Sequence, residues 1–381
     1  VKKVLKTCIH MNNYKEINMI NLKKVGLTAL AGSLAAVSAT AGELSVTGAA
    51  NVTYVTNSGN NTAQSLGTDK DVKFSGSGEL DNGWTFAIHT LSKDDLTVSS
   101  TATVITMGSL GSVGFGTGGG TNVNGGYDEP IPTAYEENSD AGGQAPANYV
   151  GSYSDDNAIV YQMPAMDFMG ATISGGVEYS LQSGSATAND GGSIARSNTW
   201  GNSYGVGLTA SYDALTLGAY VSERENKNQG GVDTTVEDAM SASWFVKYNA
   251  GPVSIGYGEF VYDSGLADSG TAASPATTAV KTVGTHSGMF DGDMMSVAFN
   301  VNDDLSLSWS EMTATYDSRS HSAAVGGADE ADVDEKHESL QMAYSMGGMS
   351  IKAYTTEITN PNFDENAASV TKNEIALGLA F

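Results

Sequence analysis

The run Ser203-Tyr-Gly-Val-Gly-Leu-Thr-Ala-Ser-Tyr212-Asp-Ala-Leu-Thr-Leu-Gly-Ala-Tyr-Val-Ser-Glu-Arg224 holds two stretches of alternation on either side of one turn residue, Asp213. In the first, Tyr204, Val206, Leu208, Ala210 and Tyr212 share a face opposite Ser203, Gly205, Gly207, Thr209 and Ser211. In the second, Leu215, Leu217, Ala219 and Val221 oppose Thr216, Gly218, Tyr220, Ser222 and Arg224. A period of two belongs to a β-strand, and a clean split between faces means that they meet different surroundings.

The same pattern spreads outward along the chain. Met295, Val297, Phe299 and Val301, then Leu305, Leu307 and Trp309, stand against Ser296, Asn300, Ser306, Ser308 and Ser310. At the end, Ile375, Leu377, Leu379 and Phe381 face away from Glu374, Ala376, Gly378 and Ala380. About sixteen strands are predicted: 44–56, 70–80, 83–93, 101–108, 112–118, 157–164, 170–181, 202–212, 214–224, 238–249, 252–262, 292–301, 304–316, 337–346, 349–358 and 371–381. Most lie near the ~9–11 residues that a tilted strand needs to cross a bilayer.

Tight turns rich in Gly, Asn and Asp (Asp81-Asn82, Ser109 to Gly111, Asp213, Ala250-Gly251, Asn302-Asp303, Gly347-Gly348) join one set of strand ends. Polar connections at 57–69, 94–100, 119–156, 182–201, 225–237, 263–291, 317–336 and 359–370 join the other. Alternating short and long connections imply an all-β fold: a transmembrane antiparallel β-barrel with short periplasmic turns and long extracellular loops. A β-sandwich also alternates, but its loops need not differ in length at the two ends, and a β-helix would show a fixed repeat. Trp84, Tyr179, Tyr212, Tyr248, Tyr257 and Phe381 fall near strand ends, as interfacial girdles do. In lipid only closure satisfies every backbone group, so 371–381 is expected to pair with 44–56.

Composition agrees. The 381 residues include 46 Gly and only 16% charged side chains, with 18 Lys+Arg against 43 Asp+Glu and a formal net charge of −25. Such a chain repels phosphate, which makes nucleic acid an improbable partner. The single cysteine, Cys8, excludes a disulfide framework and a Cys-based metal site.

Residues 19–41 have the parts of a secretory signal. Lys23 and Lys24 precede the apolar run Val25 to Val37, and Ala39-Thr-Ala41 offers a small-residue cleavage site. Residues 1–18 are read as an over-extended start, leaving 42–381 as the barrel. Loss of 1–41 removes six lysines and Glu16, so the mature chain carries 12 basic and 42 acidic residues.

Four stretches carry a family likeness: Phe74-Ser-Gly-Ser-Gly-Glu-Leu-Asp-Asn-Gly-Trp-Thr-Phe86, Met107-Gly-Ser-Leu-Gly-Ser-Val-Gly-Phe-Gly116, Asp156-Asn-Ala-Ile-Val-Tyr-Gln-Met-Pro164, and the last strand ending in Phe381. They resemble the general bacterial porins, sixteen-stranded trimeric channels of Gram-negative outer membranes. The resemblance implies a homotrimer, Phe381 as the signal read by the barrel-assembly machinery, and a third loop that folds inward as a constriction. That loop is 119–156, with Asp128, Glu129, Glu136, Glu137 and Asp140. Gly116-Thr117 stands where many members have Gly-Arg, and Arg is scarce, so the family's arginine ladder is not expected.

With apolar residues toward lipid, the opposite parity lines the pore: Lys73, Glu79, His89, Glu178, Arg224, Lys247, Lys352, Lys372 and Glu374. Acids facing a wall with few basic groups predict a water-filled channel for small hydrophilic solutes and ions with weak cation preference. Small outward residues, Gly48, Ala50, Gly76 and Gly78, fit packing against a neighbouring barrel. A substrate-selective channel and a structural or adhesive surface barrel are the competing functions.

Other motifs lead nowhere. Gly114-Phe-Gly116-Thr-Gly-Gly119 fits a dinucleotide fingerprint in letters only, since no helix follows. The acidic run Asp329 to Glu335 lacks the glycine and spacing of a calcium loop. No zinc-ligand pattern or nucleophile arrangement marks an enzyme, so neither cofactor nor metal is expected.

Overall fold

A computed structural model describes residues 43–59, 63–94, 96–117, 120–128, 130–141, 153, 158–181, 200–226, 238–263, 289–317 and 332–380. The strands are β1 (Glu43–Asn57), β2 (Ala63–Glu79), β3 (Thr85–Ser92), β4 (Val98–Thr106), β5 (Ser112–Thr117), β6 (Ala158–Gln162), β7 (Met166–Phe168) and β8 (Ala171–Ser180). They continue as β9 (Trp200–Tyr212), β10 (Leu215–Asn226), β11 (Ala239–Ala250), β12 (Val253–Asp263), β13 (Met289–Asn300) and β14 (Leu305–Asp317). The last three are β15 (Val333–Met346), β16 (Met349–Thr359) and β17 (Val370–Ala380).

Each strand pairs antiparallel with its neighbours in sequence, apart from β6 and β7, which both pair with β8 and form one stave broken at Met163 to Ala165. Pro164 has no N–H to give the ladder, and the break falls there. The seventeen segments therefore make sixteen staves. β1 pairs with β17 from Ala49 opposite Ala380 to Asn57 opposite Lys372, so the sheet closes on itself. Closure leaves no unpaired edge.

The outward parity is apolar and exposed: Leu208 is 52% exposed, Leu217 48% and Leu379 48%. The inward parity is covered; Ser203, Ser222, Ser241, Ser310 and Ser339 are each fully buried. A belt of exposed apolar side chains this continuous would drive aggregation in water and suits an apolar solvent. Tyr212 and Tyr248 edge it near the tight turns, while Tyr204, Trp244 and Trp309 edge it toward the long connections.

Three expectations need correction. The connection read as 57–69 is only 58–62, because β2 begins at Ala63 and pairs with β1 to its end. The connection read as 94–100 shrinks to 93–97, closed by Lys93 N–H to Thr97 O at 3.0 Å. Each segment carries one exposed large apolar residue, Leu66 in one and Val98 in the other, among polar neighbours, and hydropathy alternation has too little there to register. For the same reason the acidic run 329–335 is not wholly a loop: Asp334 and Glu335 belong to β15, and Glu335 is fully buried.

Candidate functional site

Residues 120–128 and 130–141 of the connection between β5 and β6 run into the barrel rather than over its rim. Along residues 120–141 its backbone and side chains meet inward-facing groups of successive strands. At its start, the Glu178 carboxylate on β8 accepts both the Val123 N–H and the Tyr220 hydroxyl. Tyr127 stacks on Tyr220 with ring centroids 5.4 Å apart, lies against Phe245, and accepts the Thr209 hydroxyl at 3.1 Å. Val123, Tyr127, Ala158, Val160, Tyr220 and Phe245 thus form a small apolar core inside the barrel. Burial pushes the Tyr127 phenol above its usual range, so it remains a neutral hydroxyl.

Two inner-wall glycines make this approach feasible. A Cβ at Gly207 would lie 2.3 Å from the Tyr127 ring, and one at Gly256 2.4 Å from Pro132. Any larger residue would push the loop off the wall.

Further along, the loop is held by hydrogen bonds to β14, β15 and β17. Ala134 N–H donates to Ser308 Oγ at 2.8 Å. Gln341 grips the next two residues: its Oε1 accepts Tyr135 N–H at 2.8 Å and Glu136 N–H at 3.0 Å, while its Nε2 donates to Glu136 O at 2.7 Å. Ser310 donates to the Asn138 side chain, and His337 Nδ1 sits 2.9 Å from Asn138 O. The Tyr135 hydroxyl donates to Glu374 at 2.7 Å, and that carboxylate also receives Tyr354 at 3.3 Å. Burial first, and then the bond to Glu374, drive the Tyr135 phenol far above its ordinary range. On the way back, Tyr153 O accepts Ser203 Oγ at 2.7 Å.

Of the loop acids, Asp128, Glu136 and Glu137 are half-buried inside the barrel, and Asp140 lies on the 3-10 turn Asn138–Ala141. Glu129 lies outside the described residues, as does Phe381. All nine wall residues named from parity lie on the inward face of their strands. Their surroundings differ. Lys73 and His89 face inward from adjacent strands β2 and β3, and Glu79 is exposed at the turn end of β2. Four cations lie on aromatic faces: Arg224 over Tyr153 at 4.6 Å, Lys247 over Phe245 at 4.8 Å, Lys352 over Tyr135 at 5.0 Å and Lys372 over Tyr354 at 5.8 Å. Ring faces attract cations and help hold these four side chains in place on the wall. Thr117, where the family often has Arg, is side-chain bonded to Thr101 at 3.0 Å.

Sequence reasoning did not single out Gln341, His337, Ser308, Ser310, Tyr127 or Tyr135. One signal was available for β15: Glu335, His337, Ser339 and Gln341 occupy four successive inward positions, and none of them is apolar.

A closed barrel with an apolar outer belt and a polar lumen crossed by an inward loop is a transmembrane channel by class. The sequence profile of the family described as Gram-negative porin matches residues 26–304, and the chain belongs to that family. Its fold is similar to that of OmpF from Salmonella typhi, solved with daunomycin: TM-score 0.64, 14% identity, covering 91% of this chain and 99% of that one. It is also similar to an anion-selective porin from Comamonas acidovorans, with TM-score 0.55, 12% identity, and 89% and 100% covered. A third likeness is to the trimer form of OmpT from Vibrio cholerae, with TM-score 0.52, 13% identity, and 90% and 100% covered. Among curated protein sequences none matches. Family and fold together make this an outer-membrane channel.

Proposed function

We propose that the channel passes small hydrophilic solutes and ions by passive diffusion, with a weak preference for cations, and that residues 119–156 form its constriction. The supporting observation is the anchoring of the acidic stretch Glu136-Glu137 inside the barrel by Gln341, whose bonds hold the backbone on either side of the Tyr135–Glu136 peptide. Charges fixed in a narrow, low-dielectric tube focus the field along it. The opposing cations, Lys352, Lys372, Lys247 and Arg224, keep that preference small.

Several further readings belong to the same proposal. The mature protein is residues 42–381 after removal of a signal at 19–41, lipid contacts the outward belt, and Phe381 addresses the chain to the assembly machinery. Gly48, Ala50, Gly76 and Gly78 lie on the outward parity of β1 and β2 and make a trimer contact. A single heat-resistant species of monomer mass in mild detergent would remove the trimer from this account.

Reversal potentials across a planar bilayer under a salt gradient test the selectivity. The expected sign is that of cation permeation; an anion-selective reversal overturns it, and absence of steady conductance favours a structural or adhesive barrel instead. Liposome swelling that ranks sugars, amino acids and phosphate by size supports general diffusion. One favoured solute class would point to a substrate-selective channel.

A further inference from the structure

Among the described residues, the inward loop packs one side of the barrel and leaves the other open. Its contacts begin at Thr121, which lies against Gly114 and Gly116 of β5, and pass round the wall to β8, β10, β12, β14 and β15. They end where Tyr135 reaches Glu374 on β17. Phe363, from the connection between β16 and β17, joins the loop's Ile131 in one buried cluster with Phe290 and Tyr316, so the wall of β13 and β14 is packed as well. Inward residues on this side are sealed: Glu178, Ser203, Ser222, Ser241, Ser310 and Ser339 are each no more than 1% exposed. On β1 and β2, by contrast, every inward residue is at least partly exposed. His89 and Leu91 on β3 are half-buried in the same way.

The open face has its own order of charge. Asp69, Asp71 and Lys73 occupy three successive inward positions of β2, opposite Asn51, Ala49 and Thr47 of β1. Lys70, between the two acids in sequence, has the outward parity and pairs with Asp94 at 3.7 Å. Of the charged groups around Asp71, Asp69 and Asp94 are acids and Lys93 is a base. Asp71 Oδ1 makes no hydrogen bond among the described residues, whereas the Glu178 carboxylate is tied to the loop and to Tyr220. Lys73 lies one step closer to the tight turn at Asp81-Asn82, and His89 follows it on the neighbouring strand, opposite Ser75.

A solute is kept from the packed side and travels along this face. Alternate positions on a strand are about 7 Å apart. At that distance in a water-like medium, one unit charge changes the local concentration of a monovalent ion about threefold. Two acids ahead of one lysine therefore enrich cations at the end of β2 nearer the long connections, and the lysine restrains them one step deeper.

We infer that solutes cross along the inner faces of β1 to β3, and that Asp69 and Asp71 are specificity-determining residues of the channel, drawing small cations in ahead of Lys73. This role of the wall rests on the channel reading and deepens it, because it adds an acidic contribution from outside the loop 119–156.

Cys8 is the single cysteine, so in a Cys8→Ser background an introduced thiol is the only one. Asp71→Cys puts a thiol on the open face. Ser296→Cys puts one at a buried position of β13, opposite Gly256, where Pro132 of the loop lies. The refolded full chains are treated with a cationic or an anionic methanethiosulfonate; intact mass follows labelling, and reversal potentials in planar bilayers give the permeability ratio. Asp71→Cys is expected to label readily while Ser296→Cys stays unlabelled. The cationic adduct of Asp71→Cys is expected to have a cation-to-anion permeability ratio at least about threefold below that of the anionic adduct. Ser296→Cys labelling as fast as Asp71→Cys would overturn the inference, and so would a ratio indifferent to the sign of the adduct. Should Asp71→Cys not refold, Asp69→Cys carries the same two readouts. Absence of current from every chain, wild type included, would refute the channel reading, and the labelling contrast would still decide which wall is open.

Discussion

Glu178 is a carboxylate on the inner wall that does not meet open solvent: the loop covers it, and it serves as a buried acceptor for Val123 N–H and Tyr220 OH. Replacing it with alanine leaves two buried donors unpaired, each costing about 1–3 kcal/mol. Glu178→Ala is therefore expected to lower the thermal unfolding midpoint of the refolded barrel and to raise hydrogen exchange around Val123 to Tyr127. An unchanged midpoint with unchanged exchange would mean that the wall carries the loop without this anchor. Parity alone placed Glu178 and the other eight charged groups inward, because a Lys or Arg facing mid-bilayer costs about 2–4 kcal/mol and the alternation leaves no third choice. What parity could not tell is which of them are covered. That depends on a partner 55 residues away, and nothing local to Glu178 marks it as different from Glu374.

Strands β12 to β16 show where the apolar belt ends. On β13 the outward positions run Phe299, Val297, Met295 and then Asp293, and on β14 they run Leu305, Leu307, Trp309 and then Glu311. Beyond that line acids face acids across the ladder, with Glu259 opposite Asp293, Glu311 opposite Glu338, and Glu338 opposite Glu357. Like charges in register repel, and the Lys336–Glu311 pair at 2.8 Å offsets only part of it. Such a row is tolerable in a high-dielectric layer and not in hydrocarbon, so the boundary runs between Met295 and Asp293. Accordingly, Val297→Lys is expected to destabilise the folded barrel in lipid vesicles by about 2–4 kcal/mol, and Asp291→Lys by about 0–1 kcal/mol. Urea titrations in vesicles measure both, and equal costs would misplace the boundary. The same line explains which element ends were legible. Alternation marks a strand only within the belt, so it reports β10 from its first residue, Leu215, while the first seven residues of β2 and the first four of β15 read as loop. Inward apolar residues were a second blind spot: Phe245, Phe260, Phe290, Met294 and Ile358 break the polar parity because the loop connections give them something to pack against.

At the scale of the whole molecule, the acidic surplus and the inward loop act over different distances. Glu259, Asp293, Glu311, Glu338 and Glu357 stand beyond the apolar belt where bulk electrolyte reaches, and at ~0.1 M salt the Debye length of about 10 Å already screens most of their field from the lumen. Glu136 and Glu137 sit inside, half-buried and held by Gln341, where fewer ions fit between charge and permeant. Two contributions to selectivity should then separate on a salt axis. The rim contribution fades as the Debye length falls to about 3 Å at ~1 M, while the lumen contribution persists. Double substitution Glu136→Gln with Glu137→Gln is expected to leave cation preference near wild type at the lowest salt, where the rims dominate. At high salt it is expected to abolish or invert the preference, because the two loop acids set against the wall cations Lys352, Lys372, Lys247 and Arg224 are then neutral. Permeability ratios from reversal potentials over that range, wild type beside variant, decide the matter. A wild-type preference that vanishes at high salt, with the variant indistinguishable throughout, would place the selectivity at the rims and take it away from the loop.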